Sequence, residues 1–307
     1  MLRFGRALSV GLAAALSALI LADARLGAEP ESRGEGRIAF TFGESGADRP
    51  AQLAVMDGDG KNRRALPPFD VHGGLSWSPD GRLIALGLIA SRGGVVIYTI
   101  NIYTINADGR PRYRLLVRNG GSPDWSPNGR SIAFDRGRDI WVVDLNDRRQ
   151  RRIVHDGRSP KWSPDGRKLA FTRGPIYGAE NATRGPDLWV LDVVAKKERR
   201  LVRNGYGADW SPDGRQIAFD RCRTQRCGGF IYVAQSDGTK QRRLFKGDEP
   251  VWSPNGQELV FIGKADGGYD AIIRARLDGS GRRVLFGRHP ACGCVLGDWA
   301  RASRGRR

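Results

Sequence analysis

The sequence predicts an all-β, six-bladed β-propeller with four-stranded antiparallel blades, its ring closed by joining the N- and C-terminal strands. Three observations lead there. Five near-copies of one segment recur: WSPDGRLIAL from Trp77, WSPNGRSIAF from Trp125, WSPDGRKLAF from Trp162, WSPDGRQIAF from Trp210 and WSPNGQELVF from Trp252. Successive tryptophans lie 48, 37, 48 and 42 residues apart, the period of propeller blades, about 40–45 residues. Two orphan pieces flank the series: Gly36-Arg37-Ile38-Ala39-Phe40 matches the back half of the repeat and Gly297-Asp298-Trp299 its front half. One copy split across the termini is what a ring closed by its own ends requires.

Within a repeat, the residues through Trp form strand A. Ser-Pro-Asp/Asn-Gly then turns the chain: Pro fixes φ near −65°, Asp or Asn tolerates the bridge region, and Gly takes the positive φ that closes the hairpin. The Ile-Ala-Phe run forms strand B. A third run, Ile140 to Leu145, Leu188 to Val193, Phe230 to Ala234 or Ala271 to Arg276, forms strand C. A second turn, such as Asp237-Gly238 or Asp278-Gly279, leads into a short basic strand D. Strands B and C are apolar at consecutive positions, as expected where stacked blades bury both faces. Tyr98-Thr-Ile-Asn101 recurs as Tyr103-Thr-Ile-Asn106. An odd shift of five reverses the faces, so a bulge or an extended end is expected in strand C of that blade.

Outside the ring, residues 1–24 read as a signal peptide: Arg3 and Arg6, an apolar run from Ala7 to Leu21, then Ala22-Asp23-Ala24. That apolar run is short for a membrane span, although an uncleaved anchor stays open. Residues 25–35 read as a linker, 36–300 as the propeller and 301–307 as a basic tail with four Arg and no acid. A periplasmic or secreted location follows. Of 51 cationic residues 43 are Arg, against 33 acidic ones, for a net charge of +18. With 40% hydrophobic residues and a mean hydropathy of −0.45, the chain is neither a polytopic membrane protein nor wholly disordered.

The repeat is similar to that of the TolB-type propeller family, whose namesake is the periplasmic component of the Tol–Pal envelope system. The same unit occurs in the non-catalytic propellers of prolyl-oligopeptidase-like enzymes. The resemblance covers about residues 36–300 and implies a propeller without the TolB N-terminal domain. It implies a non-enzymatic, TolB-like interaction module with a protein partner in the cell envelope. A serine-hydrolase domain like that of the oligopeptidases is not indicated, because no Gly-x-Ser-x-Gly nucleophile elbow occurs.

The A–B and C–D turns share one face in this topology, and the B–C and D–A loops share the other. The A–B turns are uniform, whereas the B–C loops at Thr172 to Pro186 and at Cys222 to Cys227 are not, so binding is expected on the second face. Asp124, Arg158, Lys161, Tyr206, Asp209, Glu249 and Asp298 are expected near the channel mouth there. The six tryptophans, Trp77, Trp125, Trp162, Trp210, Trp252 and Trp299, are assigned to packing between blades.

Export implies oxidised thiols. Cys222 with Cys227 and Cys292 with Cys294 are the pairs expected first, and cross-pairing stays open. His72, His155 and His289 all fall in D–A loops, but two of them belong to loops two blades apart, and neither a metal nor another cofactor is expected. Asp57-Gly-Asp59-Gly60-Lys61-Asn62 lacks the distal Glu of a calcium loop and reads as a hairpin turn. The strand-D Arg pairs at 63–64, 151–152, 199–200, 242–243 and 282–283 ring the rim. Two other functions therefore stand beside the interaction module: polyanion binding through that Arg-rich rim, and a lyase or hydrolase acting at the channel mouth. The expected state is a monomer with weak, non-specific polyanion binding.

Overall fold

A computed structural model describes residues 36–43, 51–66, 71–92, 95–108, 113–174, 185–221, 229–268, 270–287 and 295–300. The signal, linker and tail segments, His289 and all four cysteines lie outside the described residues. The first strands are β1 (Arg37–Phe42), β2 (Gln52–Asp57) and β3 (Arg64–Ala65). Blade two holds β4 (Val71–Trp77), β5 (Leu83–Arg92), β6 (Val95–Asn106) and β7 (Arg114–Val117). Blade three holds β8 (Gly121–Trp125), β9 (Ser131–Arg136), β10 (Asp139–Asp144) and β11 (Gln150–Val154). Blade four holds β12 (Arg158–Trp162), β13 (Lys168–Arg173), β14 (Asp187–Asp192) and β15 (Lys197–Val202). Blade five holds β16 (Tyr206–Trp210), β17 (Gln216–Arg221), β18 (Phe230–Gln235) and β19 (Arg242–Lys246). Blade six holds β20 (Asp248–Trp252), β21 (Glu258–Lys264), β22 (Asp270–Arg276) and β23 (Arg283–Phe286). The last strand, β24 (Val295–Ala300), pairs antiparallel with β1, so blade one reads β24-β1-β2-β3. The protein is a six-bladed propeller of four-stranded antiparallel sheets, closed by its C-terminal strand.

One rule explains the six seams between blades. Successive side chains of a strand point to opposite faces, so in Ile217-Ala218-Phe219 the large residues face one neighbour and the small one the other. Ala39 packs against Trp77, Ile84 and Leu86 of the next blade, and Ala85 against Trp125, Ile132 and Phe134. Ala133, Ala170 and Ala218 repeat the pattern, and Val260 takes the position at the closing seam beside Ile38, Phe40 and Trp299. A small residue on one blade thus receives an aromatic and an aliphatic from the next. Phe40, Phe134, Phe171, Phe219 and Phe261 are fully buried. Burial of such a side chain contributes roughly 1.5–3 kcal/mol.

The turns behave as their residues dictate. In the first A–B turn the Ser78 hydroxyl donates to Asp80 at 2.6 Å, the Gly81 N–H donates to the Ser78 carbonyl at 2.8 Å, and Gly81 sits at φ 66°. The loop at Asp57 to Asn62 is the β2–β3 turn, with the Asn62 amide donating to Asp57 at 2.7 Å. The repeated Tyr-Thr-Ile-Asn lies in β6, where the pairing register with β5 jumps between Ile89 and Ala90. That irregularity lets β5 and β6 run to 10 and 12 residues, against 6 each for β9 and β10.

Strand A carries a feature the sequence did not announce. Its pairing with strand B slips in blades two to six, and Ser122, Ser159, Gly207 and Glu249 there have positive φ. Carboxylates of the preceding blade hold two of these bends. The Ser159 N–H donates to Asp135 at 3.1 Å and the Glu249 N–H to Asp220 at 3.0 Å.

Candidate functional site

The innermost strands β4, β8, β12, β16, β20 and β24 surround a cavity of about 500 Å³. All six blades line it through their tryptophans, with Pro79, Pro127, Pro164, Pro212 and Pro254 of the A–B turns at the rim. The volume lies within the usual range of ligand pockets.

Of the residues that immediately precede the six tryptophans, Asp298, Asp124, Lys161 and Asp209 line the cavity and form its floor. In ring order the six are Asp298, Ser76, Asp124, Lys161, Asp209 and Val251. Three of the carboxylates bridge blades in the same way: each accepts the backbone N–H of the next blade's tryptophan. Trp77 donates to Asp298 at 3.2 Å, Trp162 to Asp124 at 2.7 Å and Trp252 to Asp209 at 2.8 Å. The Ser76 hydroxyl takes the same place for Trp125 at 3.0 Å. Lys161 sits between two carboxylates, with Nζ 3.2 Å from Asp124 and 3.7 Å from Asp209. Burial pushes Asp124 and Asp209 up to about 6, against the pull of Lys161 and the tryptophan N–H groups. Lys161 is pushed up from its ordinary value: burial opposes its charge, but Asp298, Asp124 and Asp209 together outweigh that cost. At neutral pH Asp124 and Asp209 therefore stay largely ionised around the Lys161 ammonium.

The seven residues expected at one mouth divide between two ends. Asp124, Lys161, Asp209 and Asp298 lie at the A–B-turn end, on the face the uniform turns had made look uninformative. The reason is positional, since all four immediately precede the tryptophan that enters the turn. Arg158, Tyr206 and Glu249 lie at the opposite end, at the start of their strands A. There Glu249 Oε2 accepts the Leu296 N–H at 3.0 Å. Burial, reinforced by Asp248, raises Glu249 to about 7 despite that hydrogen bond. Asp220, 0% exposed, is raised well above the ordinary carboxylate range, first by burial, with Asp248 and Glu249 adding to it. Nothing in the repeat marks Asp220, although the Phe-Asp pair shared with Phe134-Asp135 is a signal that could have found it.

The tryptophans do both jobs: each packs on the preceding blade and each also lines the cavity. His155 is 81% exposed in its side chain and bonds Asp139 at 2.8 Å, out on the rim. Among the described residues no three of His, Cys, Asp or Glu come together in a metal-holding group. The described part of His72 is its backbone in β4.

Several rim arginines are bonded to groups of the protein itself. Arg199 donates to the carbonyls of Asp237 and Ser236 on the next blade, at 2.9 and 3.2 Å. Arg64 likewise reaches Asp108 O at 2.8 Å. Arg152 and Arg200 turn to their own blades, 3.0 Å from Asp139 and 3.4 Å from Asp187. A second set, unforeseen from the sequence, ends strand B. Arg136 stacks 5.2 Å from the Trp141 ring while donating to Asn119 O and Arg118 O of the previous blade, both at 2.9 Å. Arg173 stacks 4.6 Å from Trp189 and donates to Asp156 O and His155 O, both at 2.7 Å. Arg64, Arg199, Arg136 and Arg173 thus clip blades together.

Comparison with known proteins agrees with this architecture. The family model described as the TolB beta propeller domain matches residues 122–289, more than half the chain. The Tol-Pal system protein TolB of Alcanivorax borkumensis is 33% identical over 98 residues, which is 29% of this chain and 20% of that protein. The match therefore spans about a fifth of that relative's length. Among solved structures, TolB from Acinetobacter baumannii superposes with a TM-score of 0.66 at 19% identity, covering 98% of this chain and 74% of that one. A putative TolB from Agrobacterium tumefaciens gives 0.60 at 20% identity, over 82% and 90%. An oligogalacturonate lyase in complex with manganese gives 0.51 at 17% identity, over 82% and 74%. These structural likenesses speak to the fold alone. With its repeats in phase, its ring closed and its family model matched, the chain belongs to the TolB β-propeller domain family.

Proposed function

We propose that this propeller is an exported, non-enzymatic binding module of the cell envelope that takes a protein partner at the A–B-turn end of its axial channel. The observation that carries the reading is the build of that cavity. Its walls and rim are tryptophan and proline held rigid by all six blades, a surface suited to burying a partner's apolar groups. Its floor carboxylates accept backbone N–H groups and share a lysine, which suits them to fix shape and charge, not to shuttle protons. The family relationship supports the same reading. The polyanion alternative is weakened because Arg64 and Arg199 of the rim are already bonded to neighbouring blades and Arg152 and Arg200 to carboxylates of their own.

The test is site-directed photo-crosslinking in the native envelope, with the crosslinker placed at Pro164 in the rim and at Arg138 on the opposite face. The expected result is one protein captured from Pro164 and not from Arg138, which then binds the purified propeller at physiological salt. Capture from Arg138 alone, or turnover of model glycoside or peptide substrates, would overturn the assignment.

A further inference from the structure

Two rings of equivalent positions run around the channel, and both depart from their pattern at the seam between blades four and five. The first is the residue before each tryptophan. Asp298, Ser76, Asp124 and Asp209 accept the backbone N–H of the next blade's tryptophan. At the closing seam, where Val251 stands, the Trp299 N–H turns to Asp298 of its own strand at 2.8 Å. Lys161 holds the place at the four–five seam, and an ammonium has no lone pair to accept with. Trp210 is joined there through its indole, whose Nε1 donates to the Lys161 carbonyl at 3.2 Å. The same seam opens into a second cavity of about 300 Å³. Ser163, Pro164, Trp210 and Pro212 line it and the axial cavity alike, so the one continues into the other.

The second ring is the residue that opens strand B: Arg37, Leu83, Ser131, Lys168, Gln216 and Glu258. Of its three charges, Arg37 stacks 4.9 Å from the Trp77 ring and donates to Gly81 O, and Glu258 pairs with Arg274 at 3.0 Å. Lys168 lines the second cavity and makes no ion pair among the described residues. The carboxylates beside it are engaged by their own turns: Asp165 and Asp213 each accept a serine hydroxyl at 2.6 Å and a backbone N–H at 3.0 Å. Those bonds hold both below the ordinary carboxylate range, with Lys168 adding to the effect on Asp165. Arg167 and Arg215, exposed on the same two turns, bring the local balance to three cations against two carboxylates.

We propose that the four–five seam is a side entrance through which the protein partner inserts an extended, acidic segment. An apolar side chain of that segment enters the axial cavity among the tryptophans, and a neighbouring carboxylate pairs with Lys168. Charge complementarity sets the register. The surplus cation at the groove attracts the carboxylate, while Asp124 and Asp209 around Lys161 keep it from going deeper. The proposal rests on the reading of the axial cavity as the binding site and adds the direction of entry and the chemistry of the segment.

The test pans a displayed library of random peptides against the full chain at physiological salt and measures the affinity of those enriched. Enriched sequences should carry Asp or Glu close to an apolar residue. Lys168→Glu should weaken their binding at least tenfold, and the milder Lys168→Gln at least threefold. Arg82→Glu makes the same change of charge on the exposed turn of blade two. It should cost less than twofold, because screening at that salt confines the effect to about 8 Å. Enrichment of basic peptides, no enrichment, indifference to Lys168, or equal losses from Lys168→Glu and Arg82→Glu would each overturn the proposal. If Pro164 crosslinks a protein whose binding ignores Lys168, only the side entrance falls. If Pro164 captures nothing and no peptide is enriched, the reading of the cavity falls with it.

Discussion

At the A–B end of the channel, Asp124 and Asp209 are buried with Lys161 between them and sit at about 6. At the opposite end, Glu249 and Asp220 are held off solvent with no ion pair among the described residues. Glu249 stands at about 7 and Asp220 well above the ordinary range. The same inner strands run between the two ends, and both use a carboxylate to accept a backbone N–H from the next blade. The difference is the cation. A buried carboxylate beside an ammonium keeps its charge at neutral pH, whereas one without it trends toward the neutral acid. The first end therefore offers charge to a ligand, and the second is better described as a hydrogen-bonded brace. β24 joins them, giving Asp298 to one end and the Leu296 N–H to the other.

Removing that shared strand should have the largest effect. A chain truncated after Phe286 loses β24, leaves the first and last seams unpaired and should show no cooperative melt. A melting midpoint within a few degrees of the full chain would break the picture of a ring closed at both ends. Next comes Lys161→Met, which leaves two buried carboxylates without their cation. A loss of about 3–5 kcal/mol in denaturant unfolding is expected, as for other broken buried pairs. Asp220 offers the contrasting measurement: Asp220→Asn replaces a carboxyl whose charge burial disfavours by a near-isostere and should cost under about 1 kcal/mol, whereas Asp124→Asn, which removes a partner of Lys161, should cost more. Equal costs would erase the distinction between the ends.

The pH dependence should be smaller and have a definite sign. Asp124, Asp209, Asp220 and Glu249 all have folded values above their unfolded ones, so between about pH 4 and 7 the native state holds more protons than the unfolded chain. The contribution of Asp124, Asp209 and Glu249 to stability is full below about 4 and is lost as pH rises through 6 to 7, and that of Asp220 is lost in the same direction. Asp139, Asp165 and Asp213 are shifted the other way by hydrogen bonds, and their contribution is lost only as pH falls below the ordinary carboxylate range. Thermal melts should therefore peak between about pH 4 and 6, and Glu249→Gln should flatten the decline toward pH 7.5. A midpoint that climbs steadily from pH 5 to 7.5 would contradict the raised values at both ends.

The seams were legible because the repeat writes them out. Ile-Ala-Phe alternates large and small on a strand buried on both sides, and Ser-Pro-Asp-Gly holds its turn by bonds within five residues. The bend in strand A was not legible: Ser122, Ser159, Gly207 and Glu249 share no residue type, and the carboxylates bonding Ser159 and Glu249 lie 24 and 29 residues back. Arg136 and Arg173 were hidden for a similar reason. An Arg after Ile-Ala-Phe-Asp or Leu-Ala-Phe-Thr looks like solvated charge until the previous blade's D–A loop is placed beneath it.

What the sequence determined by itself was therefore periodic: six blades, four strands in each, the turn chemistry and the split blade that closes the ring. These follow from local conformational preference and from side-chain alternation, which act over a few residues and repeat. Tertiary structure alone decided which face holds the chemistry. Asp298, Asp124, Lys161 and Asp209 are spread over more than 170 positions and look like unrelated residues before tryptophans. Ring closure brings them around one axis, where burial and mutual charge, which depend on distance in space and not along the chain, turn them into a single site.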